Sequence, residues 1–361
     1  MNPKISHIQL RGLIVSIVIG VGVLSMQKSL VESMGTDGWI AIIIGGFTSF
    51  LWFCVYYNIF KLHPNKDFFE IGRLTVGAGL TKFFMVFFII YYMVLLALVS
   101  RTLGELIKIF LLQTTPLEVI IVSFILASTY LASYEIDKVT RASYFIYPII
   151  ILFTVMVVLT AIPGSDPTNL LPVFRTNFQE IISGLGNTVF SFAGIEIVLL
   201  AIPFVEQKEK VFKTGIYAIS IITGIYLIMF FMSITNFSQE QIMSQNFPIL
   251  VLIRQLDAPG LFLENLDGLV MGLWVLVVFV TMVPAYFSMA KFSSKFFGTK
   301  KHKQFVLGAV PIIYFIAMMP DNFLQLTGYL TNIYYYLAVI AGGIIPLIIL
   351  VTGLIRKRLS K

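Results

Sequence analysis

"VIGVGVLSM", Val18 to Met26, is the stretch that decides how this chain folds. It lies inside the first long apolar run, where Gly20 and Gly22 interrupt what is otherwise a membrane helix. Each glycine costs a helix interior about 1 kcal/mol relative to alanine. A matching interruption, "SFAGIE" at 191–196, falls in the middle of a later apolar run. Where a helix unwinds inside a bilayer, its freed N–H and C=O groups must find partners. Paired interruptions at equivalent places in two halves point to an inverted repeat with a binding site near the bilayer midplane. Glycine permits the dihedrals and the close approach that such a site needs. One Gly-x-Gly alone is as well explained by helix packing; the second interruption tips the reading towards a ligand. Gly45–Gly46 and Gly342–Gly343 have no such counterpart and are read as packing glycines.

The surrounding composition agrees. Of 361 residues, 58% are hydrophobic and 12% charged, with mean hydropathy +0.92. A soluble domain carries about a quarter charged residues. Apolar runs recur along the chain, and roughly 20 such residues cross a bilayer. The fold class expected is an all-α polytopic membrane protein with ten spans, near 10–31, 38–60, 82–111, 117–134, 142–163, 182–204, 213–235, 268–292, 304–319 and 330–355. Five-plus-five division makes residues 1–163 the first repeat and 182–355 the second within one membrane domain spanning 1–361. The first run is too long for a signal-peptide core and lacks a small-x-small cleavage site, so it is read as a true span.

Most of the 25 lysines and arginines fall in loops on one side of these spans. By the positive-inside rule that side is cytoplasmic, and both termini lie there. The net charge of +7 is therefore topological and implies no nucleic acid. In "GTDGW" at 35–39, Asp37 is expected to cap the second helix and Trp39 to anchor at the interface.

Polar residues within spans are costly and default to functional hypotheses. On the third helix Tyr91, Leu98 and Glu105 share a face with Thr102, with Val99 beside them. Arg101 and Lys108 lie within helical ion-pair reach of Glu105, which favours a structural pairing role for it. On the sixth, Ser183, Asn187, Ser191 and Gly194 form a polar stripe leading to the break, and Glu196 follows it. Glu196 has three open roles: holding a proton, pairing with Arg101 or Lys108, or receiving a ligand ammonium. On the eighth, Trp274, Thr281 and Ser288 share a face kinked at Pro284, with Tyr286 nearby. The predicted pocket comprises Gly20, Val21, Gly22, Tyr91, Leu98, Val99, Ala193, Gly194, Ile195, Thr281 and Tyr286.

Catalysis finds no support. His7, His63 and His302 sit near the terminus or in loops, with no triad, metal-ligand spacing or Walker-type loop. The lone Cys54 excludes an internal disulfide, and no cofactor or metal is expected.

Ten spans with a "GVG"-broken first helix and an "FAGIE"-broken sixth resemble the amino acid–polyamine–organocation superfamily, with its LeuT-like inverted repeat. Four stretches resemble more closely the B subunits of spore germinant receptors (the GerAB type). They are "GTDGWIAIIIGG" at 35–46, "YEIDKVTRASYFIYPIII" at 134–151, "FAGIEIVLLAIPFV" at 192–205 and "FPILVLIRQLDAPGLFLENLDGLVMGLWV" at 247–275. Asn265 departs from the pattern, standing where a basic residue is expected. The resemblance implies a nutrient sensor of the spore inner membrane, acting with A and C subunits and releasing monovalent cations on ligand binding. It implies a small germinant, usually an amino acid, held between the unwound helices. The alternative is an amino-acid permease with alternating access around the same site.

Overall fold

The structure, a computed structural model, describes residues 4–20, 22–64, 66–254, 266–322 and 325–359. Asn265 and Val21 lie outside the described residues. The described residues are mainly helical, and the helix order follows the apolar runs. Helix α1 (His7–Val18) opens on a reciprocal cap: Ser6 Oγ accepts from the Gln9 N–H, and Gln9 Oε1 accepts from the Ser6 N–H. The first run then breaks and resumes as α2 (Gly22–Met34), followed by α3 (Gly38–Leu62). A short α4 (Phe68–Thr75) leads into α5 (Ala78–Phe110), whose 33 residues extend about 50 Å. Helices α6 (Leu117–Ala132) and α7 (Ile136–Ala161) close the first part.

The second part begins with α8 (Phe178–Phe192), which breaks and continues through a 3-10 turn at Ile195–Ile197 into the one-turn α9 (Val198–Ala201). Helix α10 (Val211–Asn236) follows, then two short helices, α11 (Gln239–Ser244) and α12 (Pro248–Arg254). The long α13 (Leu266–Phe296) carries Pro284, where a missing N–H frees a carbonyl one turn back. After α14 (Lys303–Met318) the chain ends with α15 (Thr331–Ala338) and α16 (Ile345–Leu359). These last two are flanked and joined by π turns at Leu326–Leu330 and Val339–Ile344.

Among the described residues, six helical stretches are long and apolar enough to cross a membrane: Gly22–Leu62, Ala78–Phe110, Ile136–Gly164, Lys208–Asn236, Val270–Phe296 and Thr331–Leu359. The apolar stretches His7–Val18, Leu117–Ala132, Ile195–Phe204 and Lys303–Met318 are shorter. The first and third of these are half-helices, shortened by the breaks themselves.

Burial follows from which helices face inward. Helix α5 packs along α13, α1 lies against α7 and α10, and α2 lies against α8. Close approach between α1 and α7 requires Gly12, since a Cβ there would stand 2.8 Å from the Tyr144 Cα. The outer faces are apolar: Phe47, Phe83, Phe145, Leu159, Tyr217 and Phe315 are all exposed, as lipid contact demands.

Asp37 does not cap α3 through its side chain. Its carboxylate instead accepts the N–H groups of Phe174, Arg175 and Thr176 and the Thr176 hydroxyl, at 2.6–3.1 Å. Four convergent donors outcompete the single bond a cap offers. Burial alone raises the Asp37 carboxyl, but these four bonds outweigh it and hold it below the ordinary carboxylate range. Trp39 packs edge-on against Phe174 in the same cluster.

Candidate functional site

Both interruptions read from the sequence are real breaks, and they meet. Helix α1 ends at Ile19, whose N–H still reaches the Val15 carbonyl, while the Gly20 N–H turns back to the Val18 carbonyl at 3.0 Å. Helix α8 ends before Gly194, which takes φ +110°, a left-handed conformation that glycine adopts without steric cost. A Cβ on Gly22 would stand 3.1 Å from the Ser191 Cα, and one on Gly194 would stand 3.3 Å from the Ile17 carbonyl oxygen. The two breaks are thus in direct backbone contact.

Side chains from two other helices, and from the second break itself, occupy the freed backbone groups. Thr281 Oγ1 on α13 donates to the Ser16 carbonyl at 2.8 Å, and a Cβ on Gly20 would collide with this threonine at 2.8 Å. The Tyr226 hydroxyl on α10 lies 2.6 Å from the Ser191 carbonyl and 3.1 Å from the Val18 carbonyl, so it bridges the ends of both broken helices. Glu196 Oε2 accepts the Gly194 N–H at 3.0 Å, and Oε1 accepts the Tyr91 hydroxyl on α5 at 2.7 Å. The Tyr91 ring stacks on Tyr334 of α15, with the two hydroxyls 3.2 Å apart. Glu196 is buried and forms no ion pair among the described residues.

Ser191 Oγ at the α8 break and the Tyr286 hydroxyl on α13 are among the buried polar atoms without a hydrogen bond. A buried hydroxyl without a partner costs about 1–3 kcal/mol, which a bound polar solute would offset. Leu98 and Val99 are buried on α5.

A cavity of about 210 Å³ lies between α3, the sixth-helix break and the π turn after α15. Ala193, Ile195 and Glu196 line it, together with Gly45, Tyr56, Gly342 and Gly343. The glycines read as packing residues therefore also make room. Gly46 keeps the packing role, facing Thr223, whereas Gly45, Gly342 and Gly343 contribute to the lumen. Gly20, Gly22, Thr281 and Tyr286 do not line this cavity.

The charge pattern resolves one way. Arg101 pairs with Glu105, Nε to Oε1 at 3.0 Å, and its guanidinium also approaches the Ala317 carbonyl. Lys108, expected within reach of Glu105, is exposed and makes no ion pair with it. Its position three residues on places it past the buried end of the helix, where water solvates it better than a carboxylate does. Arg101 and Lys108 do not pair with Glu196. The stripe leading to the break also divides: Ser183 is exposed, and Asn187 Nδ2 donates to the Ser29 carbonyl of α2. Trp274 packs against Phe153, and Ser288 donates to the Pro284 carbonyl. Tyr226, Tyr334, Tyr56 and Ser16 escaped the sequence reading. The tyrosines sit in unbroken apolar runs with no local pattern to mark them, and Ser16 contributes only its backbone oxygen.

The fold is that of MhsT, whose crystal structure in complex with L-phenylalanine superposes with a TM-score of 0.70 at 12% identity, covering 98% of this chain and 88% of that one. This is the LeuT-like fold that the resemblance implies. Among curated proteins, the spore germination protein YndE of Bacillus subtilis (strain 168) is 26% identical over 361 residues, 100% of this chain and 99% of that protein. Spore germination protein A2 of the same organism is 24% identical, covering 99% of this chain and 97% of the relative. Spore germination protein B2, also from that strain, is 24% identical, with 92% and 89% covered. With the spore germination protein (spore permease) family model matching residues 4–325, the chain belongs to that family.

Proposed function

We propose that the chain is the germinant-binding membrane subunit of a spore germination receptor, and that it senses a small nutrient of the amino-acid class. The reading is supported above all by the contact between the two backbone breaks, beside which the Ser191 hydroxyl lies buried without a partner. The N-terminal turn of α2, starting at Gly22, has N–H groups without intrahelical acceptors, suited to a carboxylate. The Ser16 and Ser191 carbonyls each keep a second lone pair for an ammonium beside the bond from Thr281 or Tyr226. Gly20, Val21, Gly22, Tyr91, Leu98, Val99, Ala193, Gly194, Ile195, Thr281 and Tyr286 form the pocket in this proposal, with Arg101, Glu105, Lys108 and Glu196 as structural or coupling charges. Residues 1–163 and 182–355 are its two inverted repeats.

In this reading the subunit works in the spore inner membrane with both termini cytoplasmic, in complex with A and C subunits. Ligand occupancy shifts a conformational equilibrium, which requires different affinities for the two states. The fold it shares with MhsT favours one competing reading, an amino-acid permease. Reconstitution of the purified chain in liposomes with labelled amino acids separates the two. Saturable binding without accumulation is expected, and concentrative uptake by this chain alone overturns the receptor reading. A nutrient panel on spores lacking the subunit then identifies the germinant as the nutrient whose response is lost.

A further inference from the structure

Helices α1 and α10 bring their amino-terminal ends to a different cavity, of about 250 Å³. His7 and, one turn on, Arg11 line it from α1, while Lys210 and Lys213 line it from the start of α10. The amino-terminal end of a helix is the positive end of its dipole and favours anions. Yet neither helix has an acidic residue in its first turn, and no acid lines the cavity among the described residues. Cationic side chains and two positive helix ends therefore share one space.

The neighbouring acids do not neutralise them. Glu206 faces Lys4, and Glu209, exposed in the 3-10 turn at Lys208–Lys210, makes no ion pair among the described residues. Arg11, Lys210 and Lys213 have no carboxylate partner there either. Two nitrogens at the cavity wall, Arg11 Nε and His7 Nδ1, are buried without a hydrogen bond. The Arg11 guanidinium lies over the Tyr147 ring of α7, 5.5 Å from its centroid. A buried charged donor left unpaired costs more than a neutral one, and an anion in this cavity removes that cost. The Thr214 hydroxyl is already committed to the Lys210 carbonyl, so recognition falls to the cations.

The rim has the opposite character. Ile8 and Tyr217 also line the cavity and are exposed on the apolar outer face of the chain. A ligand lodged here meets cations on its inner side and lipid on its outer side. The volume holds roughly eight water-sized groups, since each water takes about 30 Å³ in the liquid. We propose that this cavity binds the phosphate of an anionic phospholipid headgroup, with Arg11, Lys210 and Lys213 as its partners and Ile8 and Tyr217 as the seat of the adjoining acyl carbons. Basic pockets between membrane helices suit such headgroups. Bound there, the phosphate ties the start of α1 to the start of α10. The site shares no residue with the proposed nutrient pocket and rests only on the chain being embedded in a membrane, so it stands or falls separately from the receptor reading.

The test is native mass spectrometry of the purified full chain in detergent, titrated with dioctanoyl-phosphatidylglycerol. Dioctanoyl-phosphatidylcholine serves as the zwitterionic lipid and inorganic phosphate as the free anion. The first phosphatidylglycerol is expected to bind more tightly than either by about tenfold or more, because a lysine or arginine near a membrane surface favours an anionic lipid by about fivefold. Lys213→Gln, at an exposed position, should weaken that first binding by about fivefold, and Lys210→Gln with Lys213→Gln by about 25-fold. Arg11→Gln should lose at least as much as Lys213→Gln; should it fail to fold, the lysine variants decide. Lys300→Gln, exposed and outside the cavity, should leave the affinity unchanged. Equal binding of phosphatidylcholine, inorganic phosphate as tight as the lipid, unchanged affinity in the double lysine variant, or an equal loss in Lys300→Gln overturns the proposal.

Discussion

Replacing Tyr226 with phenylalanine removes one oxygen atom from the place where the two backbone breaks are joined. That hydroxyl lies 2.6 Å from the Ser191 carbonyl and 3.1 Å from the Val18 carbonyl. The Val18 carbonyl keeps the Gly20 N–H at 3.0 Å, so the loss falls mainly on Ser191. A buried acceptor left without its donor costs about 1–3 kcal/mol. With an unfolding entropy of about 2.1 cal/mol/K per residue, that lowers the Tm of a chain of 361 residues by about 1–4 °C. The local consequence is larger than the global one. The same free energy speeds amide exchange at Gly20, Gly22 and Gly194 by about 5- to 150-fold, because the bridge holds these breaks closed. Hydrogen-exchange mass spectrometry of the purified protein, with differential scanning fluorimetry beside it, measures both. Unchanged exchange at these glycines would refute the view that Tyr226 couples the two breaks, even if the Tm fell.

Three further outcomes follow from the geometry. Asp37→Asn should free the loop around Phe174–Thr176, seen as faster limited proteolysis there at neutral pH. Because the native carboxyl is held below its ordinary value near 3.8, its contribution is full above that pH and disappears as pH falls through the lowered native value; the protease sensitivity of the unaltered protein should rise over that same acidic window. Arg101→Met leaves Glu105 partly buried without its partner and should destabilise by about 3–5 kcal/mol in denaturant unfolding, while Arg101→Met with Glu105→Leu should recover most of the loss. Gly194→Ala places a side chain at φ +110°, facing Ile17, and should cost about 1–3 kcal/mol in thermal unfolding while leaving membrane insertion intact, checked by fractionation.

The breaks were legible because they disturb a pattern. Glycines at 20 and 22, and the small residues before Glu196, stand out against unbroken apolar sequence, and both prove to be helix ends. The Arg101–Glu105 pair was equally legible, since i,i+4 spacing fixes its geometry within a single helix. What fills the breaks was not. Tyr226 and Tyr334 come from helices distant in sequence, and nothing local distinguishes a tyrosine that bridges carbonyls from one that merely packs. Asp37 shows the same limit from the other side. Its position before α3 suggested a cap, but the donors that win it lie about 137 residues away in the chain. The cavity was hidden for a further reason. Its room comes from Gly45, Gly342 and Gly343, on two helices whose adjacency is a property of the fold alone.

The amino-terminal segment adds a mechanical consequence. Ile5 pairs as a single β-bridge with Val205: its N–H donates to the Phe204 carbonyl, its carbonyl accepts the Glu206 N–H, and Lys4 faces Glu206. The chain is therefore stitched just before α1 to the stretch just after α9, while Tyr226 fastens the same two broken helices halfway along. Fixed at two levels, this pair behaves as a single lever. Any tilt that opens one end of it must swing both halves together, so a push on the Ile5–Val205 stitch is felt at the two breaks without a separate linkage.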